Sequence, residues 1–188
     1  MRFIEYGTIK KKAINRFALV YPDVYRAGNS NLGLHYVYNI VNEHQDFSIE
    51  RFFLDFERSI ETQDMMKNFD SILFSLNYEY GIINLLKILK KNNIPILREN
   101  RKEKLIITGG PLNINPFTLQ DVYDIAFIGD AEGSLVEFLD IYSGLDDPKK
   151  QIEEFGKIKG LYIPEIHNEN KIKRRTENLD YHPLYEPI

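Results

Sequence analysis

Four short runs along this chain are apolar at nearly every position: Phe17-Ala18-Leu19-Val20, Ile72-Leu73-Phe74, Leu105-Ile106-Ile107 and Ile125-Ala126-Phe127-Ile128. Runs of this length with no polar alternation read as strands buried on both faces. Between them lie stretches of helical spacing. Leu34, Val37, Tyr38 and Val41 form one stripe, Ile82, Leu85, Leu86 and Leu89 a second, and Leu135, Phe138, Leu139 and Tyr142 a third. A strand buried on both faces needs helices above and below it, so the alternation predicts an α/β chain with a parallel, doubly wound sheet.

The first strand is predicted over Arg16 to Tyr21, ending at Pro22, with Asn29 or Ser30 as cap of the helix that follows. A weaker, Phe-rich strand is predicted over Ile49 to Leu54, and residues 57–69 are expected to hold a short helix and a connection. The helix of the second stripe closes on Lys90-Lys91-Asn92-Asn93, cations suited to its carboxyl end, before Pro95 forbids continuation. Five strands suit the flavodoxin-like order 2-1-3-4-5. After Asp146-Asp147-Pro148 the pattern changes. Residues 1–145 are expected to form the α/β domain, and 146–188 an extension. That extension would hold a short helix over Lys149 to Phe155, then a hairpin pairing Gly160 to Ile163 with Lys171 to Arg175. A linker would run from Leu179 to Ile188.

Composition removes several function classes. The 188 residues contain no cysteine, so the chain itself carries no disulfide, thiolate metal site or Cys nucleophile. A net charge of -4 lacks the basic footprint of a general nucleic-acid binder. No stretch approaches the roughly 20 apolar residues of a membrane span, and the amino terminus lacks a signal-peptide core. A cytoplasmic protein is expected. His35, His44, His167 and His182 show no ligand spacing, and Lys171 to Arg175 reads as a solvated hairpin face.

Ligands of open parallel sheets bind at the carboxyl ends of the strands. Here those ends read PDVYRAGNSN, SLNYEYG, GGPLN and GDAEG, rich in Gly, Asn, Ser and acids. Backbone NH groups freed by glycine, together with helix amino termini, favour anionic or amide-bearing ligands. Gly28 to Gly33 has the glycine spacing of a phosphate loop, but Leu34 and His35 stand where Lys and Ser/Thr are required. No Gly-x-Gly-x-x-Gly follows the first strand. A phosphoreceiver would need an acidic pair after the first strand, an Asp after the third and a late Lys. The chain offers Asp23 alone, then Ser75.

One pattern remains. Asp23-Val24-Tyr25-Arg26-Ala27-Gly28 resembles the Asp-x-His-x-x-Gly loop of cobalamin-binding domains, with Tyr25 in the His position. Ser75-Leu76 stands where that family places its Ser-x-Leu element, and Gly109-Gly110 matches its Gly-Gly. The longer segments ALVYPDVYRAGNSNLGL, FSLNYEYGIINLL, ITGGPLNINP, FIGDAEGSLVEFLD and GLYIPEI resemble the amino-terminal region of a group of radical SAM proteins. In those proteins a cobalamin-binding-like domain precedes a radical SAM barrel. The Cys-x-x-x-Cys-x-x-Cys of such a barrel is not among these 188 residues. The chain is therefore expected to be an isolated domain that works with a barrel in cis or on a separate chain.

The resemblance implies a cofactor site built from Asp23, Tyr25, Arg26, Gly28, Asn29, Ser30, Ser75, Leu76, Asn77, Gly109, Gly110, Gly129, Asp130 and Glu132. Ser75 would bond the nucleotide tail of a corrinoid, with Gly109 and Gly110 letting it pass. Gly28, Asn29 and Ser30 would shape the first loop, while Asp130 and Glu132 would meet amide side chains of the corrin or the barrel. A phenol is a poor neutral ligand, so any cobalamin would bind base-off, with no His below cobalt. The 4Fe-4S cluster and S-adenosylmethionine are expected only in the barrel, and no catalytic residue or metal ligand is expected in this chain. Each residue also has a structural reading: turn and cap for Asp23, Asn29 and Ser30, a packed aromatic for Tyr25, a tight strand exit for Gly109-Gly110-Pro111, and dipole charge for Glu132. On those readings the chain is a cofactor-free interaction or substrate-recruiting module of the same fold.

Overall fold

The computed structural model describes Glu5, residues 7–167 and residues 174–176. Among the described residues one sheet holds β1 (Asn15–Val20), β2 (Phe47–Phe52), β3 (Ser71–Ser75), β4 (Leu105–Gly109), β5 (Ile125–Phe127) and β6 (Leu161–Tyr162). Their spatial order is β2-β1-β3-β4-β5-β6. The first five are parallel in the expected flavodoxin-like order. The sheet has one strand more than expected, β6, which pairs antiparallel with β5 through Ala126–Tyr162 and Phe127–Leu161.

The helices are α1 (Tyr25–Gly28), α2 (Leu32–Glu43), α3 (Tyr80–Lys91) and α4 (Glu132–Ser143). Strand residues alternate between two cores, as a pleat requires. Phe17, Leu19, Leu73 and Ile107 face α2 and α4, where they meet Leu34, Tyr38, Val41, Leu135 and Phe138. Ala18, Val20, Ile72, Phe74 and Ile106 face the other way and meet Leu85, Ile88 and Leu89 of α3. Two-sided burial is thus the reason these strands read as continuous apolar runs. On the α2/α4 side Phe17 makes edge contacts with Phe47 and Tyr142 at 5.1 and 5.0 Å between ring centroids.

Several local expectations change. The cap of α2 is Asn31, whose Oδ1 accepts from the Leu34 N–H at 2.8 Å, rather than Asn29 or Ser30. Those two are taken up by the turn before it: the Asn29 carbonyl meets His35 Nε2 at 2.8 Å, and Ser30 Oγ donates to the Ala27 carbonyl. Residues 57–69 hold only a 3-10 turn, Met66–Asn68, and Lys149 to Phe155 gives way to a 3-10 helix over Ile152–Lys157. Ile152, Phe155 and Ile158 join the α2/α4 core. Gly160 to Ile163 does pair in the sheet, but with β5. Lys171 to Lys173 and Leu179 to Ile188 lie outside the described residues. Arg175 forms a parallel bridge with Gly129 at the carboxyl end of β5.

Two buried ion clusters fix the sheet ends. Arg51 of edge strand β2 is 1% exposed; its Nε reaches Glu61 Oε1 and its Nη1 reaches Glu5 Oε1, each at 2.7 Å, over the Tyr38 ring. The loop that supplies Glu61 also donates Ile60 N–H to the Arg51 carbonyl at 3.0 Å, covering an edge that would otherwise be open to pairing. At the amino end of β5, the fully buried carboxylate of Asp124 accepts from Ile106 N at 2.6 Å, from Arg101 Nη2 at 3.1 Å, and from Lys149. No helix among the described residues is long and apolar enough to cross a membrane.

Removing the Asp124 carboxylate strands the buried Arg101 guanidinium and the Ile106 amide together. Asp124→Ala is expected to cost about 3–5 kcal/mol in urea unfolding, the usual effect of breaking a buried pair. Glu57→Ala, which removes the exposed Lys91 partner at 3.1 Å, is expected to leave the midpoint unchanged. Equal midpoint shifts for the two variants would contradict this assignment.

Candidate functional site

A slot of about 320 Å³ opens at the carboxyl ends of β1, β3, β4 and β5. Its floor is the α2/α4 side of the sheet, at Leu19, Leu73, Ile107 and Phe127; Val37 and Ile40 of α2 form one wall and Leu135 of α4 the other. The slot follows from the winding. The α3 helix leaves β3 toward the opposite face, so the ends of β3 and β4 are roofed here only by α2 and α4, which arrive from β1 and β5. The α2 helix carries two adjacent stripes, one at Leu34, Tyr38 and Val41 buried in the core, the other at Gly33, Tyr36, Val37 and Ile40 lining the slot.

The mouth is polar. Asn77 Nδ2 donates to Ser75 Oγ at 3.2 Å, and Asn31 Nδ2 donates to Asn77 Oδ1 at 3.4 Å. Asn31 therefore caps α2 with its oxygen and holds the β3 loop with its nitrogen. Tyr21 is hydrogen-bonded to Asn77, and burial, reinforced by Asp23, pushes its pKa up. On the other lip, Glu132 stands in the first turn of α4, where its charge suits the helix dipole. Its Oε2 is buried without a hydrogen-bond partner among the described residues.

Three glycines of the predicted site are explained by the fold, among them Gly129, at φ +97°, where a Cβ would overlap the Arg175 carbonyl. A Cβ at Gly28 would overlap Phe53 and Tyr21. Gly110, at φ +108°, passes over the backbone of Leu76, whose carbonyl a Cβ there would overlap. Two glycines of the slot are different. A Cβ on Gly33 would meet only Asn31 Oδ1 at 3.4 Å, and one on Gly109 only Phe127 Cβ at 3.9 Å. The fold itself does not require glycine at either position, and both line open space in the slot.

The structure divides the fourteen sequence-predicted residues. Ser75, Asn77, Gly109, Gly110, Gly129, Asp130 and Glu132 line the slot. Asp23, Tyr25, Arg26, Gly28, Asn29, Ser30 and Leu76 do not. Tyr25 packs edge-on against Phe53 and Phe56, at 5.1 and 6.0 Å between ring centroids, with its hydroxyl bonded to Glu5. Burial, with the Glu5 charge beside it, pushes its pKa up to about 12. Asp23 accepts from the Tyr78 hydroxyl and, at 2.7 Å, from the Val24 N–H. Burial and the Asp23 contact raise the pKa of Tyr78 in turn. Arg26 is exposed. Leu76 is buried and acts through its backbone, donating to the Gly109 carbonyl at 2.7 Å and accepting from Leu112 N–H at 3.2 Å. Asn31, Gly33, Tyr36, Val37 and Ile40 were not legible as site residues from loop composition. The signal that finds the last four is the second i, i+3, i+4, i+7 stripe, one residue ahead of the core stripe.

The chain matches the family of radical SAM proteins, N-terminal, over residues 33–164, and belongs to it. Apart from Leu19 and Asn31, every slot-lining residue falls within that segment. The uncharacterized protein MJ0966 of Methanocaldococcus jannaschii is 29% identical over 180 residues, which are 94% of this chain and 35% of that protein. The chain thus spans about a third of the length of this relative.

The two neighbouring glycines after β4 make a direct comparison. Gly110→Ala forces both strain at positive φ and an overlap with Leu76, and is expected to cost ~2 kcal/mol. Gly109→Ala is expected to change stability by less than about 0.5 kcal/mol. Thermal unfolding of both variants checks this, and a Gly109→Ala loss as large as that of Gly110→Ala would show that Gly109 too is required by the fold.

Proposed function

We propose that this chain is the module of a radical SAM enzyme that holds a base-off corrinoid against the barrel, the nucleotide tail lying in the slot beside Ser75. The observation that supports it most is the slot itself. It runs from the carboxyl edge down along the sheet, and two of its boundary positions, Gly33 and Gly109, are glycines the fold does not need. At about 320 Å³ it lies within the ~300–1,000 Å³ range of small-molecule pockets, at the small end, which suits one flat group rather than a macrocycle. The corrin ring would rest outside, over the strand ends.

The residues have definite parts in this reading. Ser75 Oγ, already accepting from Asn77, keeps its own proton to donate to the tail. Gly109 and Gly33 admit the tail close to the backbone. The unpartnered Glu132 Oε2 accepts from an amide of the corrin rim, removing the penalty of a buried oxygen without a donor. Tyr25 stays with Phe53, Phe56 and Glu5 and coordinates nothing. A bound corrinoid supplies a cobalt able to carry a methyl group; the iron–sulfur cluster and S-adenosylmethionine belong to the barrel, in cis or on another chain.

The first loop favours a second reading. Asp23 through Ser30 is taken up by contacts within the protein, with Tyr78, Asp55, Phe53, Phe56 and Glu5, as in a module that kept the fold and uses this edge to meet a substrate or partner without a cofactor. Titration of the purified chain with hydroxocobalamin, followed by visible absorbance and equilibrium dialysis, separates the two. Saturable binding with a base-off spectrum, weakened at least tenfold by Gly109→Leu, is expected. Absence of binding by the folded chain favours the cofactor-free module, and binding indifferent to Gly109→Leu would place the ligand elsewhere.

A further inference from the structure

We infer that the slot selects among corrinoids by the base at the end of the tail, admitting a benzimidazole and rejecting a purine; this rests on the reading that the tail lies in the slot. The slot changes character with depth. Its polar side chains are toward the mouth, on Asn31, Tyr36, Ser75, Asn77, Asp130 and Glu132, while Thr108, also in the lining, has its Oγ1 engaged by Asn113 Nδ2 at 3.1 Å. Below Ser75 and Gly109 the sheet presents Leu19, Leu73 and Ile107, and the helices present Val37, Ile40 and Leu135. None of those six side chains donates or accepts a hydrogen bond. The backbone groups beneath them are occupied as well, because β1, β3 and β4 pair in continuous register from Phe17 to Val20 and from Ser71 to Ser75.

Benzimidazole and purine bases are flat bicyclic groups of similar size, so volume does not separate them. Polarity does. An adenine entering this depth leaves the water around its exocyclic amine and ring nitrogens and finds no partner for them. A dimethylbenzimidazole, base-off, brings a single free ring nitrogen, fewer polar groups than adenine, together with methyl groups that gain from the same surroundings. The asymmetry between an unpaired buried polar group and a buried carbon group therefore acts in one direction. At the mouth the order reverses, and amides, ribose hydroxyls and other donors meet Glu132, Ser75 and the two asparagines.

The test is equilibrium dialysis of the whole 188-residue chain against three corrinoids. They are cobalamin with its dimethylbenzimidazole, the cobamide carrying adenine instead, and cobinamide, which has no nucleotide tail. The dimethylbenzimidazole form is expected to bind about tenfold or more tightly than the adenine form, with cobinamide weakest. Val37→Asn, which sets an amide in the apolar depth, is expected to narrow the ratio between the two cobamides. That ratio is taken on one protein sample, so partial unfolding of the variant cancels. Equal binding of the two cobamides, both tighter than cobinamide, would overturn the selection while leaving the tail in the slot. Cobinamide binding as well as cobalamin would overturn the selection and the placement of the tail together, and no binding of any of the three removes the corrinoid reading itself.

Discussion

A strand of a parallel sheet has no face it can turn to water, and the rest of this structure is arranged around that constraint. Five parallel strands need cover on two sides, and among the described residues three long helices supply it. One face receives α3. The other receives α2 and α4, with the 3-10 helix of Ile152–Lys157 filling in beside them. At the amino end of β5, Asp124 closes a buried ion cluster with Arg101 and Lys149. At the carboxyl ends of β3 and β4 the helix cover is incomplete, and the incompleteness is the slot. The candidate site is therefore a product of helix distribution, with its rim decorated by loops.

That distinction separates what the sequence tells from what it does not. The strands and helices follow from local periodicity, and the parallel order from the lack of polar alternation. The loops after β3, β4 and β5 were legible because they leave the strands straight into the opening. The first loop was not, since its course is fixed by residues far away in sequence. Tyr25 answers to Glu5, Phe53 and Phe56, and Asp23 answers to Tyr78. Likewise Asn31 rather than Asn29 or Ser30 caps α2, because the short turn of α1 consumes the residues before it. The pairing of β6 with β5 has the same origin: β5 offered an unpaired edge, which no local pattern reveals.

The family places the chain among the amino-terminal regions of radical SAM proteins, and the geometry gives that placement physical content. The polar contacts near the opening form one connected set. Asn31 ties the start of α2 to Asn77, Asn77 ties itself to Ser75 and Tyr21, and Leu76 is clasped by Gly109 and Leu112. The rim is thus held by side chains and backbone of three separate loops. A rim built this way keeps its shape whether or not anything lies within it.

Gly33 shows what sets the width of such an opening. It sits in the first turns of α2, where alanine would favour the helix by up to about 1 kcal/mol and would meet nothing closer than Asn31 Oδ1 at 3.4 Å. A methyl there would both stiffen the unfolded chain and pack into a void. Gly109, in a strand and with nothing nearer than Phe127 Cβ at 3.9 Å, leaves the opposite side of the opening equally clear. Neither glycine is held by the packing around it, so the width of the opening is set by two side chains that are absent.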